Sequence, residues 1–142
     1  MAAQGVSEFT NFDSLYPTRG AIQMANFAYV VNGLYLFKVF EDGHKENLGY
    51  VSGSGPVSMA TNGAKLAIVV PRDKGYVYDP TILDPEEDQF YQITDPAFRP
   101  SNTVVFKDGY FVYTASDGDV FFISEPNQPG EIDPLGFGTA EV

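Results

Sequence analysis

Three stretches of the chain repeat one another at a spacing of about forty residues. Each is a short apolar strand, a tight turn and a second strand rich in aromatics. The copies occupy residues 28–37, 67–78 and 112–122, and their turn glycines align at Gly33, Gly75 and Gly118, at intervals of 42 and 43. The second and third copies also align upstream at an offset of 46, which sets Asn62-Gly63 on Asp108-Gly109 and residues 64–70 on 110–116. A repeat of roughly 40–50 residues built only from short strands is the mark of β-propeller blades. Three blades cannot close a ring, so such a chain must belong to something larger or be completed by partners.

Composition fits this reading. A chain of 142 residues with 44% hydrophobic content can bury a core of its own. Twelve Phe and nine Tyr favour strands, and 14 Gly with 10 Pro suit many turns. The expected strands are 21–24, 28–31, 34–40, 48–51, 57–60, 65–70, 76–79, 91–93, 103–106, 110–115 and 120–124. The dipeptides Asn32-Gly33, Asn62-Gly63, Asp108-Gly109 and Asp117-Gly118 sit between apolar runs and accept the positive φ of tight hairpin turns. Gly33, Gly63, Gly75, Gly109 and Gly118 are therefore expected at structural turns. Residues 79–89 form an acidic loop, and residues 125–134 read as a second, Pro-rich acidic connection. The sequence shows no long helical pattern.

Several strands are apolar on both faces. In residues 34–40, Leu34, Leu36 and Phe40 alternate with Tyr35, Phe37 and Val39. A sheet with one wet face would alternate apolar with polar, so these sheets are expected between other sheets. The end sheets of a three-blade array would then expose more apolar surface than a soluble monomer normally carries. Closure by oligomerisation or by further sequence follows.

The predicted fold is all-β: a partial β-propeller of about three antiparallel blades over 20–142, with a short N-terminal arm over 1–19. In the arm, Phe9, Phe12, Leu15 and Tyr16 lie three or four apart, so one or two helical turns would gather them on one side before Pro17. It reads either as a loosely ordered arm or as one that docks these aromatics on a neighbour. With Leu135 and Phe137 near the other end, they are the candidate partner-interface residues.

The net charge of −11 argues against nonspecific binding to nucleic acid or to an anionic membrane. No stretch approaches the roughly 20 apolar residues of a membrane span, and no signal-peptide pattern opens the sequence. Synthesis in the cytoplasm of the producing cell is expected. There is no cysteine and one histidine, His44, in a charged turn. Nucleophile–histidine schemes and His or Cys zinc sites have little to build on. Asp84, Glu86, Glu87 and Asp88 could ligate a hard cation but lack the order of a calcium loop. Gly53-Ser54-Gly55 leads into Pro56 and a strand, so it is a turn and not a phosphate loop. No catalytic residue, metal or cofactor is assigned.

From residue 32 onward the sequence becomes more specific. Asn32–Lys38, a charged hairpin, and then the run Gly49-Tyr-Val-Ser-Gly-Ser-Gly-Pro-Val-Ser-Met-Ala60 resemble the N-terminal propeller region of the packaged-DNA stabilisation proteins of short-tailed phages. These are also called tail accessory factors or head-closure hubs. They show a similar Gly-Lys-Leu-Tyr-Lys strand followed by Gly-Ser-Gly-x-Val-Ser-Met-Ala. Gly109–Tyr113, Asp117-Gly118 and Val120–Ser124 resemble the following blade, and Pro134–Glu141 resembles a Phe-x-x-Ala-Glu segment. The similarity spans about residues 18–142 of proteins that run to several hundred residues.

The resemblance implies a structural virion protein of the head–tail junction. Such a protein closes the portal exit, stabilises packaged DNA and docks tail components, with portal and tail proteins as partners in an oligomeric assembly. It implies a place in the virion tail, with neither specific nucleic-acid binding nor membrane contact. The alternatives are a glycan-binding or glycan-cleaving propeller fragment, using exposed tyrosines and acids, and a generic propeller scaffold.

Overall fold

The computed structural model describes residues 16–139. Twelve strands form three four-stranded antiparallel meanders. The first sheet holds β1 (Thr18–Met24), β2 (Phe27–Asn32), β3 (Tyr35–Val39) and β4 (Lys45–Tyr50) in that order. The second holds β5 (Ser58–Thr61), β6 (Leu66–Val69), β7 (Gly75–Tyr78) and β8 (Phe90–Gln92). The third holds β9 (Ser101–Lys107), β10 (Tyr110–Ala115), β11 (Val120–Glu125) and β12 (Gln128–Thr139).

The sheets stack in chain order like adjacent blades. The first strands β1, β5 and β9 approach one another, so they line the inner side. The Val57 N–H donates to the Arg19 carbonyl at 3.0 Å. The Val104 N–H donates to Ser58 Oγ at 3.0 Å. The strands alternate in direction, which separates two rims. One carries the β2–β3, β6–β7 and β10–β11 turns and the connections 51–57 and 93–100. The other carries the remaining hairpins.

Two core layers hold the stack together. Between the first and second sheets lie Met24, Tyr29, Val31 and Leu36 against Leu66, Ile68, Tyr76 and Tyr78. Between the second and third lie Ala60, Ala67, Val69 and Val77 against Phe111, Tyr113, Ala115 and Phe122. In the second layer, small residues of one sheet receive aromatics of the next. The middle sheet is dry on both faces: every residue of β6 and β7 is buried. The third sheet has one packed face, which corrects the expectation that residues 110–115 and 120–123 are dry on both. The first carries, besides its packed face, a small cluster of Val30 and Val39 with Ala21, Ala28 and Phe37 on the outward side, so residues 34–40 are dry on both faces only towards the hairpin rim.

The turn chemistry operates at most of the expected places. Asp108 (φ 53°) and Gly109 (φ 88°) form a two-residue hairpin loop with both central residues at positive φ. Gly33, Gly63 and Gly118 also take positive φ. Gly75 does not serve a turn. It is the first residue of β7, paired with Val69, and the preceding turn instead puts Arg72 at φ 61°. What Gly75 provides is close approach: a Cβ there would lie 2.6 Å from Phe98 Cζ and 2.9 Å from Ile93 Cδ1.

Two further expectations change. Residues 125–134 are not a connection; Glu125 ends β11 and most of the rest belongs to β12, an edge strand with two register irregularities against β11. The 46-residue offset also slips by one position in facing. It matches Ala67 and Val69 with Tyr113 and Ala115, yet the first pair points forward to the third sheet and the second pair points back to the second. In a strand a one-residue slip exchanges the faces.

The buried phenols give the core a pH dependence. Tyr29 sits 5.4 Å from Tyr78 between the first two sheets. Burial, then Tyr78 and Glu46, push the Tyr29 hydroxyl from 10.0 up to about 12. Burial likewise raises Tyr78 and Tyr113. These groups stay protonated in the fold when the unfolded chain would ionise. Their contribution is complete below about pH 10 and is lost as pH climbs toward 12. Urea unfolding is therefore expected to show Tyr29 alone costing about 2–3 kcal/mol over that window. A flat urea midpoint across it, with tyrosinate absorbance rising freely near pH 10, would refute the burial argument.

Candidate functional site

The strongest surface features are apolar and lie on the two outward sheet faces. On the first sheet, Tyr35 pairs with Tyr50 across β3 and β4, with ring centroids 6.4 Å apart and edge to face. They are 44% and 53% exposed, and Leu34 (41%) and Tyr16 (67%) stand at the same corner. The Tyr16 ring lies over Gly33, where a Cβ would meet Tyr16 Cβ at 3.0 Å. Nearer the hairpin rim of this face, Val30 and Val39 are already buried, together with Ala21, Ala28 and Phe37.

On the third sheet, Val112 pairs with Val105 and Ile123, and Thr114 with Thr103 and Phe121. All six point away from the second sheet. Val105 is 54% exposed. Phe121 and Ile123 lie flat across the edge strand because β12 has glycines beneath them. A Cβ on Gly138 would sit 2.5 Å from Phe121 Cζ, and one on Gly136 would sit 2.5 Å from Ile123 Cγ1. A hollow of about 370 Å³ opens on this face between Val112, Thr114, Gly118, Asp119, Val120 and Phe121.

The candidate interface residues divide. Phe9, Phe12 and Leu15 lie outside the described residues. Tyr16 is exposed, and Leu135 is 92% exposed on β12. Phe137 is half-buried: its ring stacks on Phe122 at 5.3 Å, with the Arg99 guanidinium 5.1 Å from its centroid. Tyr35, Tyr50 and Phe121 were not singled out from sequence. Their signal was present in the two-faced apolar pattern, which identifies outward apolar positions only once the stacking order is known.

The hairpin rim is mainly acidic, whereas on the rim of the connections the cations stand among Asp73, Asp95, Asp117 and Asp119. All three arginines, Arg19, Arg72 and Arg99, lie on the rim of the connections, and Arg72 is followed by Asp73 and Lys74. Glu41, Asp42, Asp84, Glu86, Glu87, Asp88 and Asp108 lie on the hairpin rim. The acidic loop 79–89 is folded by its own backbone: Asp79 Oδ1 accepts from the Thr81 N–H at 3.0 Å, and Asp84 Oδ1 from the Glu86 N–H at 2.9 Å. Lys65 ties this rim together, pairing with Asp79 at 3.5 Å and donating to Gln128 Oε1 at 2.8 Å.

Among the described residues Arg19 is the one deeply buried cation. It is 5% exposed, and its guanidinium donates only to backbone carbonyls: Gly55 from Nε, Gly33 and Val51 from Nη1, and Ser52 from Nη2. Burial lowers its pKa, opposed by Tyr50 and Tyr76. His44 lies in the β3–β4 hairpin with its ring 5.2 Å from Phe40, and its backbone N–H donates to Asp42 Oδ1 at 2.9 Å. Among the described residues no three His, Asp or Glu side chains converge. No helix there is long and apolar enough to cross a membrane.

Three sequential four-stranded meanders around a common inner edge define an open β-propeller array. Comparison with known proteins agrees. The chain belongs to the phage stabilisation family described as bacteriophage P22 Gp10, β-propeller, whose model matches residues 2–142. No curated protein matches it. Among solved structures it is similar to the Neurospora crassa Pan2 WD40 domain, at 11% identity and a TM-score of 0.55 over 87% of this chain and 36% of that one. It is also similar to a chain of the S. cerevisiae assembly of Dbp5 bound to Nup159, Gle1, IP6 and ADP, at 9% identity and a TM-score of 0.56 over 87% and 30%. The chain thus spans about a third of each, and at these identities the likeness is one of fold.

Proposed function

We propose that the chain acts at the head–tail junction of a short-tailed phage, where it helps close the portal exit, retain packaged DNA and dock tail components. Family membership over residues 2–142 carries this reading. The surfaces described above support it: the molecule offers apolar sheet faces and a mainly acidic hairpin rim, which suit protein contacts. The acidic balance suits a position near DNA without adhesion to it, because like charge repels the phosphate backbone. The mechanism is burial of outward sheet faces and loop docking, with no bond chemistry assigned.

The test uses particles of the phage that carries this gene, with an epitope tag on the chain. Gold label is expected at a single vertex of mature virions, and particles lacking the chain are expected to lose their DNA. Label spread over the capsid, or absent from virions, would overturn the assignment.

A further inference from the structure

We propose that the turn between β5 and β6 is a self-modification site, at which Asn62 converts to aspartate and isoaspartate while the matching Asn32 stays intact. The argument stands on the two turns and does not depend on the phage assignment.

Asparagine followed by glycine is the pair most open to attack on its own side chain, because no Cβ shields the amide that follows. The chain has two such pairs, Asn32-Gly33 and Asn62-Gly63. The other described asparagines precede Phe27, Leu48, Thr103 and Gln128. In the reaction the Gly63 nitrogen bonds to Asn62 Cγ, the Cγ–Nδ2 bond breaks, and the side-chain nitrogen leaves as ammonia with the amide proton. Water then opens the five-membered imide. Opening at the side-chain carbonyl gives aspartate, and opening at the main-chain carbonyl gives isoaspartate. The net change is water in and ammonia out, with no oxidant and no cofactor.

Asn32 is closed to this chemistry. It is buried, and its Nδ2 donates to the Tyr16 carbonyl at 3.2 Å and to Thr18 Oγ1 at 3.3 Å. The Gly33 N–H, which would be the nucleophile, donates to the Pro17 carbonyl at 3.1 Å. The Gly33 carbonyl accepts from Arg19 Nη1 at 2.7 Å, and the Tyr16 ring fills the space beside Gly33. Freeing this turn means lifting the whole entry segment 16–19 with its buried guanidinium.

Asn62 is held chiefly by its own turn. Its Oδ1 accepts from the Ala64 and Lys65 N–H groups at 2.9 and 2.8 Å, and the Gly63 N–H donates to Thr61 Oγ1 at 3.0 Å. These bonds occupy both reacting groups while the turn is closed. The tie beyond the turn is an exposed bond from Nδ2 to Asn127 Oδ1 at 3.2 Å. Gly63 and Ala64 are exposed. Apart from the chain neighbours, no heavy atom lies within 4 Å of where a Cβ on Gly63 would sit. Once the turn opens, the imide ring forms without displacing a neighbour, and that opening is local, with no sheet unfolded. Isoaspartate lengthens the main chain by one carbon between Thr61 and Gly63, which upsets the spacing that the Ala64 and Lys65 bonds require. Both products lose the amide donor to Asn127, which joins the second and third sheets.

The experiment is peptide mass spectrometry on the 142-residue chain kept folded in warm, mildly alkaline buffer, beside the same chain in urea. Chromatography separates the aspartate and isoaspartate forms. In urea both sites are expected to convert at similar rates. In the folded chain Asn62 is expected to convert at least about tenfold faster than Asn32, because only its turn opens locally. Thr61→Val, shown folded by circular dichroism, removes the acceptor of the Gly63 N–H and should speed conversion at Asn62 about two- to tenfold. Asn32 converting as fast as Asn62, Asn62 staying intact in the folded chain, or a Thr61→Val protein no faster than wild type would each overturn the proposal. The comparison of the two sites decides it even where the variant fails to fold. None of these results would touch the vertex-labelling one.

Discussion

Replacing Arg19 with alanine is expected to lower the unfolding free energy by about 3–5 kcal/mol, measured by urea denaturation. The side chain joins three separate pieces of backbone: the β2–β3 turn through Gly33, the end of the first sheet through Val51 and Ser52, and the crossing to the second sheet through Gly55. Without it, four carbonyls at the junction of two sheets lose their donor. The connection 51–57 would keep the Val57 and Val51 N–H bonds to the Arg19 and Leu34 carbonyls and the two bonds of Ser52, from its N–H to the Tyr76 hydroxyl and from its hydroxyl to Asp73. Lysine should recover less than half of the loss, because a single ammonium cannot reach acceptors arranged around a planar fork. An Arg19→Ala protein within about 1 kcal/mol of wild type would show that water replaces the guanidinium at little cost.

The second large effect is expected at Phe122, fully buried in the layer between the second and third sheets. Its ring stacks on Tyr113 at 5.1 Å and on Phe137 at 5.3 Å, and meets Phe98 edge-on at 5.6 Å. Alanine there would open a cavity enclosed by rigid rings and cost about 3–5 kcal/mol, while leucine should cost markedly less. The consequence extends to β12, because the Tyr113 hydroxyl donates to the Pro129 carbonyl at 2.6 Å and Phe137 belongs to the same strand. Near-ultraviolet circular dichroism should lose its tyrosine signal along with the stability. An intact signal with a change under about 1 kcal/mol would mean that the stack is not a unit.

Most of this architecture was legible in the sequence. Apolar runs separated by Asn-Gly and Asp-Gly dipeptides located eleven strands, since those dipeptides are chemically suited to the φ values found at Gly33, Gly63, Asp108 and Gly109. The twelfth strand was hidden by Pro129, Pro134 and three glycines, which read as a connection. It exists because it lies at a sheet edge, where a missing donor is tolerated and glycine lets Phe121 and Ile123 lie close. Gly75 was legible as a fixed point of the repeat but not in its role, which depends on Phe98 arriving from a distant connection. Of the interface residues, Tyr16 was singled out by its spacing of three or four from Phe9, Phe12 and Leu15, and Leu135 by its place near the other end of the sequence; both are exposed. The Tyr35–Tyr50 pair needed the register of β3 against β4, where a bulge at Leu48 keeps both rings outward.

The stacking of three sheets in line also makes stability unequal along the chain. Each sheet is a local meander, so its own strands bring few distant contacts, and cooperativity passes only between nearest neighbours. The middle sheet has a neighbour on both sides and the end sheets have one. Opening the first sheet exposes one core layer and opening the third exposes the other, but opening the second exposes both. Backbone amides of β6 and β7 thus exchange only when the whole molecule unfolds, while β4 and β12, outermost strands of the end sheets, can fray with much of the array intact.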